Sequence, residues 1–250
     1  MFSLFKKSSP VTEVFPEGFV DIHSHFLPGI DDGAKTIEES MELLLRMSSY
    51  GIQNFTTTPH VMAGVWENSS DIILDKRDLL LEELEKRDLS FIKLEAAAEY
   101  MLDEQFVKLL KKRDLLTLGK DTLLVEMSYL NAPVNLFEML FDIQMAGYQP
   151  ILAHPERYCF YHNNFDVFYK LKEAGFRFQL NLLSLTGYYG NSIQKIAELL
   201  LKKGMIDFTG SDTHHMKHLE AFKKIGTEKN LKLLKPILKN NLQFSPSVGY

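Results

Sequence analysis

Cysteine is nearly absent from these 250 residues. The single Cys159 excludes a disulfide within the chain and suits a reducing compartment. It sits in Tyr158-Cys159-Phe160-Tyr161, apolar company that predicts a small inert hydrophobe rather than an activated thiolate. No Lys/Arg-rich block stands out, and the formal net charge of -5 excludes the broad basic face of a general nucleic-acid binder. No apolar run approaches the roughly 20 residues of a membrane span, so no membrane insertion is expected. The opening stretch has no long apolar core followed by a cleavage site. Residues 1–18 therefore read as a polar, partly disordered lead-in, with the cytoplasm as the expected location. Short-period repeats and low-complexity tracts are also missing.

What remains is alternation. Short β-rich runs at 19–23, 54–58, 91–97, 122–127, 149–153, 177–182 and 207–210 are separated by segments of helical period. In the first of these, Thr36 and Glu39 suggest a capping box, Ile37, Met41, Leu44 and Leu45 form an apolar stripe with Met47 at its edge, and Gly51 is a stop. Further helices are predicted at 71–87, 103–112, 134–146, 164–174, 192–203 and 218–228. A last one at 231–239 would be kinked or shortened by Pro236. Strand–helix alternation implies parallel strands covered by helices. Seven units, with no dinucleotide-binding glycine fingerprint after the first strand, predict an α/β fold of (β/α)7 barrel type spanning 19–250 as one domain.

A parallel barrel collects its chemistry at the carboxyl ends of its strands. The first run ends in Asp21-Ile22-His23-Ser24-His25, and alternation along a strand aims both imidazoles the same way. The second ends in Pro59-His60, the third at Glu99, the fourth at Glu126 and the fifth at His154. The sixth ends more mildly, in Asn181, and the seventh in Ser211-Asp212-Thr213-His214, while Asp31 and Asp32 follow the first strand on a loop beside Gly33. Taken singly, each has a structural reading, such as a hydrogen-bonded histidine or a Glu126–Arg157 pair. Six of seven strands delivering His or a carboxylate to one rim is another matter, because buried charges are costly unless paired or metal-bound. Nitrogen and oxygen donors without thiolates exclude a structural cysteine–zinc site and suit catalytic Mn, Fe or Zn. Nine candidate ligands (His23, His25, His60, Glu99, Glu126, His154, Asp212, His214 and one of Asp31 and Asp32) are too many for one ion, which points to two or three ions and to phosphate-ester hydrolysis.

These motifs resemble those of the polymerase-and-histidinol-phosphatase (PHP) superfamily. The narrower likeness, carried by His23-Ser-His25, Asp31-Asp32-Gly33 and Ala153-His154-Pro-Glu-Arg157-Tyr158, is to the bacterial manganese-dependent protein-tyrosine phosphatases of capsule and exopolysaccharide loci. The resemblance implies a distorted TIM-like barrel with a first metal on His23, His25, Glu99 and Asp212. Glu99 would bridge to a second on Glu126 and His154, and a third would take Asp32, His60 and His214. It implies direct attack of metal-activated water on phosphorus without a covalent enzyme intermediate, with Arg157 holding the phosphate oxygens as a bidentate fork. Asp212 or a metal-bound water is the candidate acid for the leaving group. A second arginine expected soon after Asp212-Thr213-His214 is missing; Lys217, or an extra histidine such as His215 or His218, would stand in.

For an aromatic leaving group, Phe26, Tyr100, Tyr158 and Tyr161 are the candidate slot walls. The expected substrate is phosphotyrosine, in the tyrosine-rich tail of a membrane-associated autokinase. The alternatives are a histidinol-phosphate or other small phosphomonoester phosphatase, for which Glu67, Asp71 and Glu156 are the loop acids at hand, and a metal-stabilised binding module without turnover.

Overall fold

All seven β-rich runs form strand in a computed structural model that describes residues 10–245. In chain order they are β1 (Val20–Asp21), β2 (Asn54–Thr57) continued by β3 (His60–Val61), β4 (Lys93–Ala96) continued by β5 (Glu99–Met101), β6 (Thr122–Glu126), β7 (Gln149–Ala153), β8 (Arg177–Asn181) and β9 (Phe208–Gly210). Every pairing is parallel, in the orders β1-β2-β4 and β3-β5-β6-β7-β8-β9. The second and third runs belong to both ladders and carry the sheet around. The second breaks at Pro59, which has no N–H to give a ladder.

The curl ends at a seam between β1 and β9, which share no ladder. Just past both strands, Ser24 and Thr213 form one parallel bridge, His25 N donates to Thr213 O (3.0 Å) and Asp212 N to His23 O (2.7 Å). Below, Asn241 Nδ2 donates to Val20 O (2.8 Å) and Thr209 O (2.7 Å), tying both strands from the far end. The result is a distorted, incompletely closed (β/α)7 barrel. Strands such as β6, buried at all five positions, are apolar on both faces because helices cover the outside.

Those helices are α1 (Ile37–Ser48), α2 (Ser70–Lys86), α3 (Glu104–Lys112), α4 (Leu136–Met145), α5 (Asp166–Glu173), α6 (Asn191–Lys202), α7 (Met216–Phe222) and α8 (Glu228–Leu234). Thr36 caps α1 by accepting from Glu39 N, while the Glu39 carboxylate reaches one residue further back, to Lys35 N (2.8 Å). The buried stripe of α1 is rotated from the expected one: Met47 is fully buried and Leu45 is exposed.

The chain end also departs from expectation. The helix expected at 218–228 begins two residues earlier and stops at Phe222, gives way to a 3-10 turn over Lys223–Gly226, and α8 restarts under a Thr227 cap. α8 stops before Pro236, whose ring would clash with the preceding turn, and the remainder is a 3-10 helix over Leu238–Phe244 that places Asn241 and Phe244 beneath the barrel. In the expected lead-in, residues 1–9 lie outside the described residues. Residues 10–18 include a 3-10 turn (Val11–Glu13) whose Val11 packs into the core together with Val14. Cys159 is exposed, not packed as its neighbours suggested, because the turn over Cys159–Tyr161 points it outward. Among the described residues no helix is long and apolar enough to cross a membrane.

Candidate metal centre

Parallel strands put all carboxyl ends on one rim, and the nine predicted ligands meet there. Their donor atoms fall into four overlapping groups, each within 4.8 Å: His25/Asp32/His60/His214, His23/His154/Asp212, His23/His25/Glu99 and His60/Glu99/Glu126. Glu99 is the hub, with Oε2 3.1 Å from His23 Nε2 and 3.2 Å from His60 Nδ1, and Oε1 3.0 Å from His154 Nε2. His60 faces two ways: Nδ1 lies 2.9 Å from Glu126 Oε1, and Nε2 lies 3.5 Å from Asp32 Oδ1. Asp212 divides its carboxylate. Oδ1 stands 3.4 Å from His23, His25 and His214, while Oδ2 accepts from Arg157 (2.7 Å) and Asn181 Nδ2 (2.7 Å).

A second layer aims the imidazoles. His23 Nδ1 meets Gln179 Oε1 at 2.7 Å and His25 Nδ1 meets Asp31 Oδ2 at 2.8 Å, leaving each Nε2 for the rim. This is the usual way a protein fixes the tautomer and orientation of a metal-binding histidine. Asp31 also accepts from Gly33 N and His60 N, so one carboxylate sets two ligand-bearing loops. Two glycines allow the approach. A Cβ on Gly33 would stand 2.1 Å from His25 O, and one on Gly210 would stand 2.5 Å from the His23 Cβ.

The backbone is strained where it turns its ligands inward: His154 (φ 36°) and Asp212 (φ 50°) both occupy the left-handed region that non-glycine residues avoid.

The electrostatics call for cations. Burial alone would lower the His23 pKa, yet Glu99 and Asp212 raise it to about 9. Burial and the Glu99 charge push Glu126 up to about 7. His154, buried beside Arg157, falls to about 4 although Glu99 opposes the shift. His25 Nε2, His60 Nδ1 and Glu126 Oε1 are buried without a hydrogen bond of acceptable geometry. Orphaned imidazole nitrogens and carboxylate oxygens gathered at one point are what divalent ions bind, replacing the protons that otherwise compensate such a cluster. The donor set therefore fits a divalent metal cofactor.

The cavity above, about 550 Å3, is bordered by Asp32, His60, Glu126, His154 and Arg157. A smaller one of about 230 Å3 beside it reaches Tyr189, His215 and His218. Arg157 lies between two aromatic rings, 4.7 Å from the Tyr129 centroid and 4.3 Å from that of Tyr189. It pairs with Asp212, not with Glu126 and not with Glu156. The Glu156 carboxylate points inward and accepts from Asn181 N and Ser184 Oγ, with burial raising its pKa to about 7.

Three expectations about the rim change. Tyr158 is fully buried, its hydroxyl accepting from Met127 N and donating to Ala153 O, which makes it a post under the site and not a wall. Phe26 and Tyr100 are buried likewise. Lys217 is exposed on α7 and borders neither cavity. His218 instead is buried, and its Nδ1 accepts from His214 N (3.2 Å); burial, with its imidazole neighbour His215, lowers its pKa to about 3. Sequence reasoning missed Gln179, Tyr129 and Tyr189, took Asn181 only as the milder end of the sixth run, and left Asp31 without a role. Gln179 and Asn181 did carry a signal, two polar side chains on the same face of an apolar strand; the two tyrosines carried none.

Fold and rim together define a PHP-type metal-dependent phosphatase. The sequence profile of the family described as "Capsular polysaccharide synthesis, CpsB/CapC" matches residues 19–224, and the chain belongs to this family. It is 32% identical over 200 residues to tyrosine-protein phosphatase YwqE of Bacillus subtilis, covering 79% of this chain and 78% of that one. It is 27% identical over 203 residues to tyrosine-protein phosphatase CpsB of Streptococcus agalactiae (79% and 83%). A solved structure described with YwqE of B. subtilis and CpsB of Streptococcus pneumoniae, "unique metal-dependent tyrosine phosphatases", superposes with a TM-score of 0.75 at 29% identity, covering 88% of this chain and 94% of the other.

Proposed function

We propose that this protein hydrolyses phosphotyrosine in another protein, its physiological target being the tyrosine-rich tail of a membrane-associated autokinase that controls capsule or exopolysaccharide synthesis. The single observation that carries the reading is the convergence of five imidazoles and four carboxylates on one open rim beside Arg157. Relatives named as tyrosine-protein phosphatases support the substrate class. A cytoplasmic location suits a chain with one exposed free cysteine.

The residues fit two or three ions, with manganese the expected metal. His23, His25, Glu99 and Asp212 would hold one, Glu99, Glu126 and His154 a second, and Asp32, His60 and His214 a third. Bound there, the ions lower the pKa of water and neutralise the oxygens of the transferring phosphoryl group. The chain supplies the rest. Arg157, packed against Tyr129 and Tyr189 and anchored on Asp212, offers its remaining N–H groups to phosphate oxygens. Asp212 accepts two hydrogen bonds on Oδ2 and faces histidines with Oδ1. Burial favours its neutral form, but His23 and His214 hold its pKa well below the usual carboxylate range. We therefore assign it to metal binding and to anchoring Arg157, not to protonation of the leaving phenolate.

A histidinol-phosphate phosphatase would need free acids to grip an imidazole and an amine. Glu156 is buried, Glu67 and Asp71 do not border the cavity, and Asp103, which does, spends its oxygens on Ala63 N and Phe106 N.

The test is phosphate release by manganese-loaded protein from a phosphotyrosyl peptide, with a phosphoseryl peptide and histidinol phosphate in parallel. Preference for phosphotyrosine, abolished by chelation and reduced roughly 100-fold or more in Arg157→Ala, is the expected result. Preference for histidinol phosphate would move the protein to another substrate class. No turnover of any ester by the metal-loaded chain would leave a binding module.

A further inference from the structure

The rim cavity has two unlike walls. One is made of the metal-competent side chains and Arg157. The other is mostly apolar: Met62, Val65 and Trp66 from the loop after β3, Met101 at the end of β5, and Tyr129 after β6, with Asp103 and Ser128 its polar members. Because β3, β5 and β6 are successive neighbours in the sheet, the Trp66 loop and Tyr129 stand on either side of Met101. Trp66 is the only tryptophan in the chain.

The loop that carries it is braced. Met62 and Trp66 exchange both backbone hydrogen bonds (2.9 Å each), Ala63 N donates to Asp103 Oδ2 (2.8 Å), and Gly64 turns the chain at φ 70°. Asn68 Nδ2 then donates to His60 O (2.8 Å) and Ile30 O (2.9 Å), fixing the loop to a metal-competent strand end. Tyr129 turns its hydroxyl inward, 3.5 Å from His154 Nε2, yet leaves 45% of its surface exposed, and Val65 leaves 58%. Rigidly held apolar surface that faces water beside a polar site is suited to covering the apolar part of a ligand whose charged end lies below.

We propose that Trp66, with Met62 and Val65, and Tyr129 form the two sides of a slot for the phenyl ring of the substrate, floored by Met101. This rests on the phosphotyrosine reading and deepens it: the ring of the leaving group, and not the phosphate alone, is what the site recognises. The residues are not those the sequence suggested: Phe26, Tyr100 and Tyr158 are buried beneath the rim, and the half-buried Tyr161 borders neither cavity. A seryl or threonyl phosphate fills the phosphate position but leaves the slot open, with the apolar wall still wet. Phosphotyrosine covers that wall, and ring-on-ring contact with an indole and a phenol adds to the area term.

The sole tryptophan supplies a direct readout. Free phosphotyrosine is expected to change Trp66 fluorescence on binding the metal-loaded protein, whereas inorganic phosphate, which occupies the phosphate position only, changes it little at saturation. Trp66→Ala is expected to lower kcat/KM for a phosphotyrosyl peptide roughly tenfold, mostly through KM, equivalent to about 1.4 kcal/mol. Its inhibition constant for inorganic phosphate and its metal content stay at wild-type values, and Trp66→Phe restores most of the loss. If the Trp66→Ala peptide KM and the fluorescence response both fail to distinguish ring from phosphate, the slot is overturned while the function stands. If the wild type does not hydrolyse the phosphotyrosyl peptide at all, the function reading falls and the slot with it.

Discussion

Glu126 and Asp212 show how single residues here give up stability for a site. Glu126 is a carboxylate buried within reach of another, Glu99, and its ionised form is disfavoured by both burial and that charge. His154 and Asp212 add left-handed backbone, of order 1–3 kcal/mol each for non-glycine residues. The metal-free chain should therefore gain from neutralising one acid. Glu126→Gln is expected to raise the stability of the metal-free protein by about 1–2 kcal/mol in urea melts and to abolish turnover. A metal-free Glu126→Gln melt at or below wild type would show that the acids are already compensated without metal. At this scale the sequence was informative where paired donors two residues apart follow a strand end, as His23/His25 follow β1 and Asp212/His214 follow β9. It was silent on Tyr129 and Tyr189. They reach Arg157 from different loops, and only the folded barrel brings both against one guanidinium.

Among elements, the β1–β9 seam is the point on which the rim depends. Both strands are short, no ladder joins them, and each leads directly into two ligand candidates. The buried carboxylate of Asp21 bridges the gap, accepting from Ser211 N (2.9 Å) and Ser211 Oγ (2.5 Å). Ser211→Ala leaves that carboxylate under-bonded in the interior. The expected loss is about 1–3 kcal/mol, or a few degrees in Tm, together with weakened metal binding measured by titration. Unchanged metal affinity would mean that the seam does not position the ligands.

The periodicity that located seven strand runs worked because each strand and helix buries a regular face. It failed near 218–239, where α7, a 3-10 turn and α8 replace the helices expected at 218–228 and 231–239 and the chain must bend to bring Asn241 under the seam. That bend serves a contact with Val20, more than 200 residues away in sequence, which no local pattern encodes.

For the molecule as a whole, the seam and the metals act on the same closure. His23 and His25 follow β1, Asp212 and His214 follow β9, and the ligand sets proposed above place both sides on shared ions. Bound metal would then serve as a staple across a barrel that the backbone leaves incompletely closed. The linkage relation sets the scale, with a site held at 100 times its Kd adding about 2.7 kcal/mol. For a chain of this size that corresponds to roughly 5–10 °C in Tm, lost on chelation and restored by manganese in a concentration-dependent way. A staple further requires the loss to be local. Hydrogen exchange in metal-free protein should accelerate first at the amides of His25 and Asp212, whose acceptors lie across the seam, while the β6–β7–β8 ladder keeps its protection. Uniform loss of protection on chelation would instead mean that the ions stabilise the whole fold without bracing any one part. Protection unchanged at both amides would mean that the backbone closes the barrel unaided and that the metals serve chemistry alone.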